Sequence, residues 1–255
     1  MKLVVLGCSG SGPGPGSPAS GYLVEAGDTR LVLDLGNGTF GALQRFVDPF
    51  ALDAVVFSHL HPDHCADFSA LSVWRRYHPA APPAVPLPVY GPAETEDRFA
   101  AQYAPSAAQR GSGEFAGVYT FHTHVPRTAV GDVVLRTAAV DHPCEAYALR
   151  VEHGGRSLVY SGDTGPCEGL VELARGADVF LCEASWPHTA DMPSGVHLSG
   201  RQAGEHASAA GVGTLLITHV PAWIDAQAVL AEAKGAFDGP VELVRADGEY
   251  AVLRN

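Results

Sequence analysis

Four side chains able to bind metal stand within six positions of the chain: His59, His61, Asp63 and His64, in Ser58-His59-Leu60-His61-Pro62-Asp63-His64. Alternate residues of an extended chain share a face, so His59 and His61 point the same way, and the turn begun by Pro62 brings Asp63 and His64 round to a second position. Neutral imidazoles with a carboxylate are the donors that a borderline ion such as Zn²⁺ takes, and this spacing suits two adjacent ions better than one. A polar surface turn is the weaker reading of the same residues. Three further groups stand where apolar runs end: His142 in Asp141-His142-Pro143, Asp163 in Ser161-Gly162-Asp163-Thr164, and His219 after Leu216-Ile217-Thr218. A residue that ends a rigid strand reaches the loops at the sheet edge, where sites form. Each is a weak signal alone. Together with the first cluster they make five histidines and two carboxylates, enough for two ions sharing one carboxylate.

To bring these groups together the chain offers short apolar or β-branched runs bounded by Gly, Pro or Asp. They predict strands at 3–6, 22–26, 31–35, 54–57, 133–140, 146–151, 158–161, 179–181, 214–218 and 242–244. Helical patterns lie at 39–47, 66–77, 93–103, 200–210 and 225–236, the last opened by Asp225 as an N-cap. Many strands with helices interspersed, and no regular βαβ alternation, predict an α/β sandwich and not a doubly wound sheet. The whole chain, 1–255, reads as a single domain. A Pro-rich connection at 79–92 opens a region, 79–129, that carries few chemical residues and reads as an insertion or lid. Within it His122 and His124 form a His-x-His pair with no Asp-His to complete it, and an exposed strand is the expectation. The Gly/Pro/Ser loop at 9–20 is followed by no Gly-Lys-Ser/Thr, so it borders a site and does not cradle a phosphate.

With 255 residues and 46% hydrophobic side chains the chain can bury a substantial core. No stretch approaches the roughly 18 apolar residues of a membrane span. Acidic residues outnumber basic ones by 28 to 16, a net charge of −12, which disfavours a general nucleic-acid binder. The apolar run before Cys8 is too short for a secretory signal and reads as the first strand. Cys8, Cys65, Cys144, Cys167 and Cys182 show no CxxC spacing, so neither a disulfide framework nor a zinc finger is indicated, and a reducing cytoplasm fits them best.

The series His59-x-His61-x-Asp63-His64, His142, Ser161-Gly162-Asp163-Thr164 and His219 resembles the signature of the metallo-β-lactamase superfamily over nearly the whole chain and in the right order. Leu33-Asp34-Leu35-Gly36-Asn37-Gly38-Thr39 is similar to its first motif. The resemblance implies an αβ/βα four-layer sandwich with a dinuclear metal site on its edge. By position, His59, His61 and His142 would hold one ion, Asp63, His64 and His219 the other, and Asp163 would bridge. Asp34 would orient the site without ligating, and Asp63 would also serve in catalysis. Two Zn²⁺ ions per chain are the expected cofactor, with Mn²⁺ as the substitute. His61 stands where flavodiiron oxygen reductases have Glu, which disfavours redox chemistry. The Cys ligand common in true β-lactamases has no match.

Cys182-Glu183-Ala184-Ser185-Trp186 and Val196-His197-Leu198-Ser199 resemble the Glu-Ala-Thr and His-Ser-Thr motifs of the ribonuclease Z branch. That resemblance makes His197 the proton donor to a departing alkoxide and Glu183 the residue that orients it. A general acid is worth about 10²-fold to 10⁴-fold in such a step. The branch holds both tRNA 3′-end endonucleases and small-molecule phosphodiesterases. The bacterial endonucleases carry a long basic arm between the third-motif His and the bridging Asp. Here His142 and Asp163 are only 21 positions apart, with Arg150 and Arg156 set against Glu145 and Glu152, and the Pro-x-Lys-x-Arg-Asn element is absent. Arg75, Arg76 and Arg110 remain as a basic patch that the net charge could hide. The expectation is a cytoplasmic dinuclear zinc phosphodiesterase acting on a small cyclic phosphodiester, above all a 3′,5′-cyclic nucleotide such as cAMP. The alternatives are tRNA 3′ processing, thioester or lactone hydrolysis, and metal used only for folding, the last opposed because structural zinc sites are closed cages of one ion. The expected partner is thus a small phosphodiester, with neither nucleic acid nor membrane, and the family resemblance admits a homodimer.

Overall fold

The run Leu3-Val4-Val5-Leu6 is apolar on both faces, as a strand covered on both sides must be. In the computed structural model, which describes residues 1–80, 85–111, 113 and 115–253, that run lies between two cores. In chain order the elements are β1 (Lys2–Gly7), β2 (Gly21–Ala26), β3 (Thr29–Leu35), α1 (Thr39–Leu43), β4 (Ala54–Val56), α2 (Pro62–Cys65), α3 (Phe68–Tyr77), β5 (Leu87–Gly91), α4 (Thr95–Tyr103), β6 (Tyr119–Thr123) and β7 (Arg127–Val130). There follow β8 (Val133–Ala139), β9 (Tyr147–His153), β10 (Arg156–Tyr160), α5 (Glu168–Ala174), β11 (Val179–Glu183), α6 (Gly200–Ala210), β12 (Thr214–Thr218), α7 (Ala226–Ala236), β13 (Val241–Leu243) and β14 (Glu249–Ala251).

The strands form two seven-stranded sheets, ordered β14-β1-β2-β3-β4-β5-β6 and β13-β12-β11-β10-β9-β8-β7. Leu3, Val5, Tyr22 and Leu33 of the first sheet share the central core with Leu149, Val151, Leu158 and Tyr160 of the second. The opposite faces, Val4, Leu6, Leu23 and Val32 in one sheet and Val159, Phe180 and Ile217 in the other, pack on helices. Phe40, Phe68, Leu71 and Phe99 of α1, α3 and α4 cover the first, and Leu170, Ala203, Ala207 and Val229 of α5, α6 and α7 cover the second. This is the expected four-layer sandwich. Among the described residues no helix is long and apolar enough to cross a membrane.

Every expected strand is present, and the helix from Ala226 opens as expected on Asp225, whose side chain accepts from Gln227 N and Ala228 N. The reading of 79–129 as an insertion or lid is corrected. That stretch supplies β5, α4 and β6, and Leu87, Val89, Phe99, Phe115 and Tyr119 are buried in the outer core of the first sheet. Part of its Pro-rich start, 81–84, lies outside the described residues. His124 is corrected too: it is buried, and its Nε2 donates to the Phe57 carbonyl at 2.8 Å.

Strands β3 to β6 run parallel in one sheet and β10 to β13 in the other. Their C-terminal ends place Asp34, Ser58-His59, Ser161 to Asp163, Glu183 and His219 on one edge, where open α/β sheets bind ligands. The metal-rich turn is fastened there through Gly36. A Cβ on Gly36 would lie 1.9 Å from the Asp63 carbonyl oxygen and 2.9 Å from that of Ser20. Gly36 N donates to Ser20 O at 2.9 Å, and Ser20 N donates to Asp63 O at 3.2 Å. Three backbones therefore meet where no side chain fits. Gly36→Ala should cost about 1–3 kcal/mol, as overpacking does, seen as a lower urea midpoint at unchanged slope. An unchanged midpoint would show that the turn moves aside freely.

Candidate metal centre

The site is built from two groups of donor atoms. His59 Nε2 and His142 Nε2 lie 3.1 Å and 3.2 Å from His61 Nδ1, and the three atoms sit within 4.8 Å of one another. Asp63, His64, Asp163 and His219 form the second group, also within 4.8 Å. In it His64 Nε2 stands 3.2 Å from His219 Nε2 and 3.2 Å from Asp163 Oδ1, while Asp63 Oδ2 is 3.3 Å from His219 Nε2. Asp163 Oδ2, 3.4 Å from His219 Nε2 and 3.7 Å from His59 Nε2, stands between the groups. All seven residues expected from the sequence are thus brought together, and a third group, Glu183, His197 and His219, adjoins them.

The donor chemistry fits divalent cations. Imidazole nitrogens that meet nitrogen to nitrogen share at most one proton per pair, so unshared lone pairs converge on the same space. Asp163 is 2% exposed, and its carboxylate is ringed by nitrogens of His64, His219 and His59 at 3.2, 3.4 and 3.7 Å, so its buried charge calls for positive charge among them. Burial opposes the charge on Asp163, but His219 and His64 outweigh it and hold the carboxyl well below its usual range. Asp63 is lowered likewise, with the His219 hydrogen bond and His64 overcoming burial. His64 is held well above the ordinary histidine value because Asp163 and Asp34 outweigh its burial. Burial and the neighbouring His64 pull His59 the other way. The pocket therefore keeps its carboxylates ionised and draws positive charge toward them.

Asp34 belongs to none of the donor groups. It is fully buried and accepts from Ser58 N (2.7 Å), Ser58 Oγ (2.7 Å), Tyr160 Oη (2.9 Å) and His64 Nδ1 (2.8 Å). Its backbone φ of 56° lies in the left-handed region, as does the 57° of His219. Strain at a non-glycine residue persists where its surroundings over-determine it. Beside the donor groups, Glu183 at the end of β11 is fully buried and accepts from Thr164 N and His197 Nδ1, each at 2.9 Å. Ser185 Oγ donates to Glu183 Oε2 at 3.1 Å and lies 3.0 Å from His219 Nδ1. Trp186 sets its ring edge against His197, with centroids 5.1 Å apart. Burial alone would lower the His197 pKa, but the Glu183 carboxylate and its hydrogen bond, with Asp163 behind, raise it to about 9.

Sequence reasoning missed Ser58 and Tyr160, which complete the shell of Asp34, and Ser185, which joins His219 to Glu183. Hydroxyls at strand ends are too common to signal a role. Ser58 could have been found by its place directly before His59. His188, in contrast, turns its Nδ1 to Ser199 Oγ and joins neither donor group.

Residues 29–220 match the family described as the beta-lactamase superfamily domain. An uncharacterized protein of Mycobacterium leprae is 50% identical over 96% of this chain and 86% of its own. The probable metallo-hydrolase YhfI of Bacillus subtilis is 30% identical over 96% of this chain and 97% of its own. The YhfI crystal structure superposes with a TM-score of 0.86 over 98% of both chains, at 26% identity in that alignment. A ribonuclease Z of Mycolicibacterium paratuberculosis is 33% identical over 95% of each chain. The matched residues include every donor of the two groups, and the relatives run the length of the fold that carries them: the chain belongs to the β-lactamase superfamily, as a metal-dependent hydrolase.

Proposed function

We propose that the protein hydrolyses small cyclic phosphodiesters with two bound ions, Zn²⁺ before Mn²⁺, and that a 3′,5′-cyclic nucleotide such as cAMP is its substrate. His59, His61 and His142 would hold one ion and Asp63, His64 and His219 the other, with Asp163 between them. When bound, the ions supply Lewis acidity at the phosphoryl oxygens and lower the pKa of water toward neutrality.

The observation that carries the reading is the Glu183–His197 pair, 2.9 Å apart and set against the second donor group. Opening a cyclic phosphodiester expels an alkoxide, a poor leaving group that needs a proton. Glu183 takes the Nδ1–H of His197, which leaves Nε2 as the nitrogen that hands a proton to the substrate and lets the carboxylate stabilise the charged ring. A thioester expels a thiolate, for which such a donor is superfluous. Asp63, with its side chain 13% exposed against 3% for Asp163, is the more open acid and would orient the attacking water by accepting its hydrogen bond.

The 33% identical ribonuclease Z supports phosphodiester chemistry and keeps tRNA 3′ processing as the second reading. Substrate size favours the first. The interval from His142 to Asp163 folds as the antiparallel pair β9–β10 within the second sheet, with no arm to grip RNA. Arg75 is 2% exposed, its guanidinium over the rings of Phe50 and Tyr119, so the patch it would form with Arg76 and Arg110 loses a member. The five cysteines stand free, which supports a reducing cytoplasm.

Protein purified without chelator should contain two ions per chain by elemental analysis. One ion with full activity would end the role given to Asp163. His197→Ala should keep both ions and lose about 10²-fold to 10⁴-fold in kcat on cAMP, yet lose little on bis(p-nitrophenyl) phosphate, whose leaving group departs unaided. Equal losses on both would mean a binding or folding role. Because the raised pKa keeps His197 protonated at neutral pH, kcat/KM on cAMP should fall on the alkaline side. Glu183→Gln, which removes the group that raises it, should move that limb to lower pH. In a competition between cAMP and precursor tRNA, cAMP should be consumed; accurate tRNA cleavage without cAMP turnover would select the second reading.

A further inference from the structure

His142 faces two neighbours with its two ring nitrogens. Nε2 belongs to the first donor group, 3.2 Å from His61 Nδ1, while Nδ1 lies 2.8 Å from the carbonyl oxygen of Val196, the residue before His197. A neutral imidazole carries one N–H. Without an ion the one proton can sit on either nitrogen: on Nδ1 it donates to Val196, and on Nε2 it donates to His61 Nδ1 and leaves a bare Nδ1 lone pair to lone pair with the Val196 carbonyl. An ion on Nε2 removes that choice and puts the proton on Nδ1, where it donates to Val196.

The segment gripped in this way has little else to hold it. Thr189, Ala190, Asp191, Pro193 and Ser194 are exposed. Among the described residues, the hydrogen bond that fastens 189–196 to another element is the one from His142. The same wall presses on its neighbour. Gly165 N donates to Asp141 O at 2.7 Å, a Cβ on Gly165 would fall 2.8 Å from Gly195 Cα, and one on Gly195 would fall 3.2 Å from the Asp141 carboxylate. Gly195 has φ +69°, which L side chains rarely adopt.

We propose that His142 is a positioning residue as well as a ligand: with an ion on Nε2 it latches the Val196 carbonyl, orders 189–197, and so makes the placement of His197 depend on the first donor group being filled. The inference rests on the proposed roles of His197 as proton donor and of His59, His61 and His142 as an ion site. Linkage makes it reciprocal, since an ordered segment must in turn hold the ion more tightly.

Hydrogen exchange by mass spectrometry on chelator-stripped and zinc-reconstituted protein, with metal content measured on both, tests it without any substrate. Loading should slow exchange over 189–197 by about tenfold, within the range of ordinary coupling energies. In Gly195→Ala at saturating zinc the slowing should disappear. Competition against a chromophoric chelator should then show the first ion held at least about threefold more weakly than in the parent. Equal exchange over 189–197 in stripped and two-ion protein would overturn the proposal, as would full protection of Gly195→Ala. Failure of the underlying reading looks different: reconstituted protein that holds no ion on His59, His61 and His142 removes the ion site itself.

Discussion

A carboxylate removed from water costs several kcal/mol unless its lone pairs are used, and Asp34 has no exposed surface at all. Its four donors come from Ser58 beyond β4, from His64 in α2, and from Tyr160 of β10 in the opposite sheet. One buried charge therefore fixes the metal-rich turn against both layers of the sandwich. With His64 Nδ1 committed to Asp34, its Nε2 has to face the second donor group. The left-handed backbone at Asp34 and His219 is the local cost of aiming these side chains inward. Gly36 serves the same end by being small, since it lets β3 meet the turn backbone to backbone.

The other buried acids divide the remaining work by position. Asp163 and Asp63 sit among imidazoles that keep them ionised, so they present negative charge to whatever cation enters. Glu183 stands beside His219 but spends its charge on His197, whose pKa it raises. Ser185 connects the two halves through one hydroxyl, between His219 Nδ1 and Glu183 Oε2. The geometry of the Glu183–His197 pair and that of the two donor groups are therefore not independent in this fold. His142 and the Val196 carbonyl couple them a second time.

The misread stretch shows where local pattern fails. Leu87-Pro88-Val89-Tyr90-Gly91 carries a proline and a terminal glycine and follows a run of prolines, which together read as a loop. It is nevertheless an interior strand between β4 and β6, because Leu87 and Val89 are covered by a core that α4 helps to close. Helix α5 escaped for a related reason: seven residues are too few to show a helical period, and only Leu170 and Ala174 of it are buried. His124 sits among polar neighbours in the chain but finds a carbonyl acceptor on Phe57, which is 67 positions away.

What the sequence by itself determined is the chemistry. His59, His61, Asp63 and His64 are adjacent in the chain, so their donor types and the turn between them were readable without knowing the rest. His142, Asp163, His219, Glu183 and His197 could be named because each ends a strand or lies in a resembling motif, and the strands themselves were legible from apolar runs. Only the tertiary structure decided which nitrogen of each histidine faces inward, that Asp34 is closed off by Tyr160 and Ser58, and that Ser185 and Val196 link the Glu183–His197 pair to the donor groups. The physical reason is distance along the chain. Ring orientations and buried hydroxyls are set by partners as far as 196 positions away, and no local spacing encodes a bond made across two sheets.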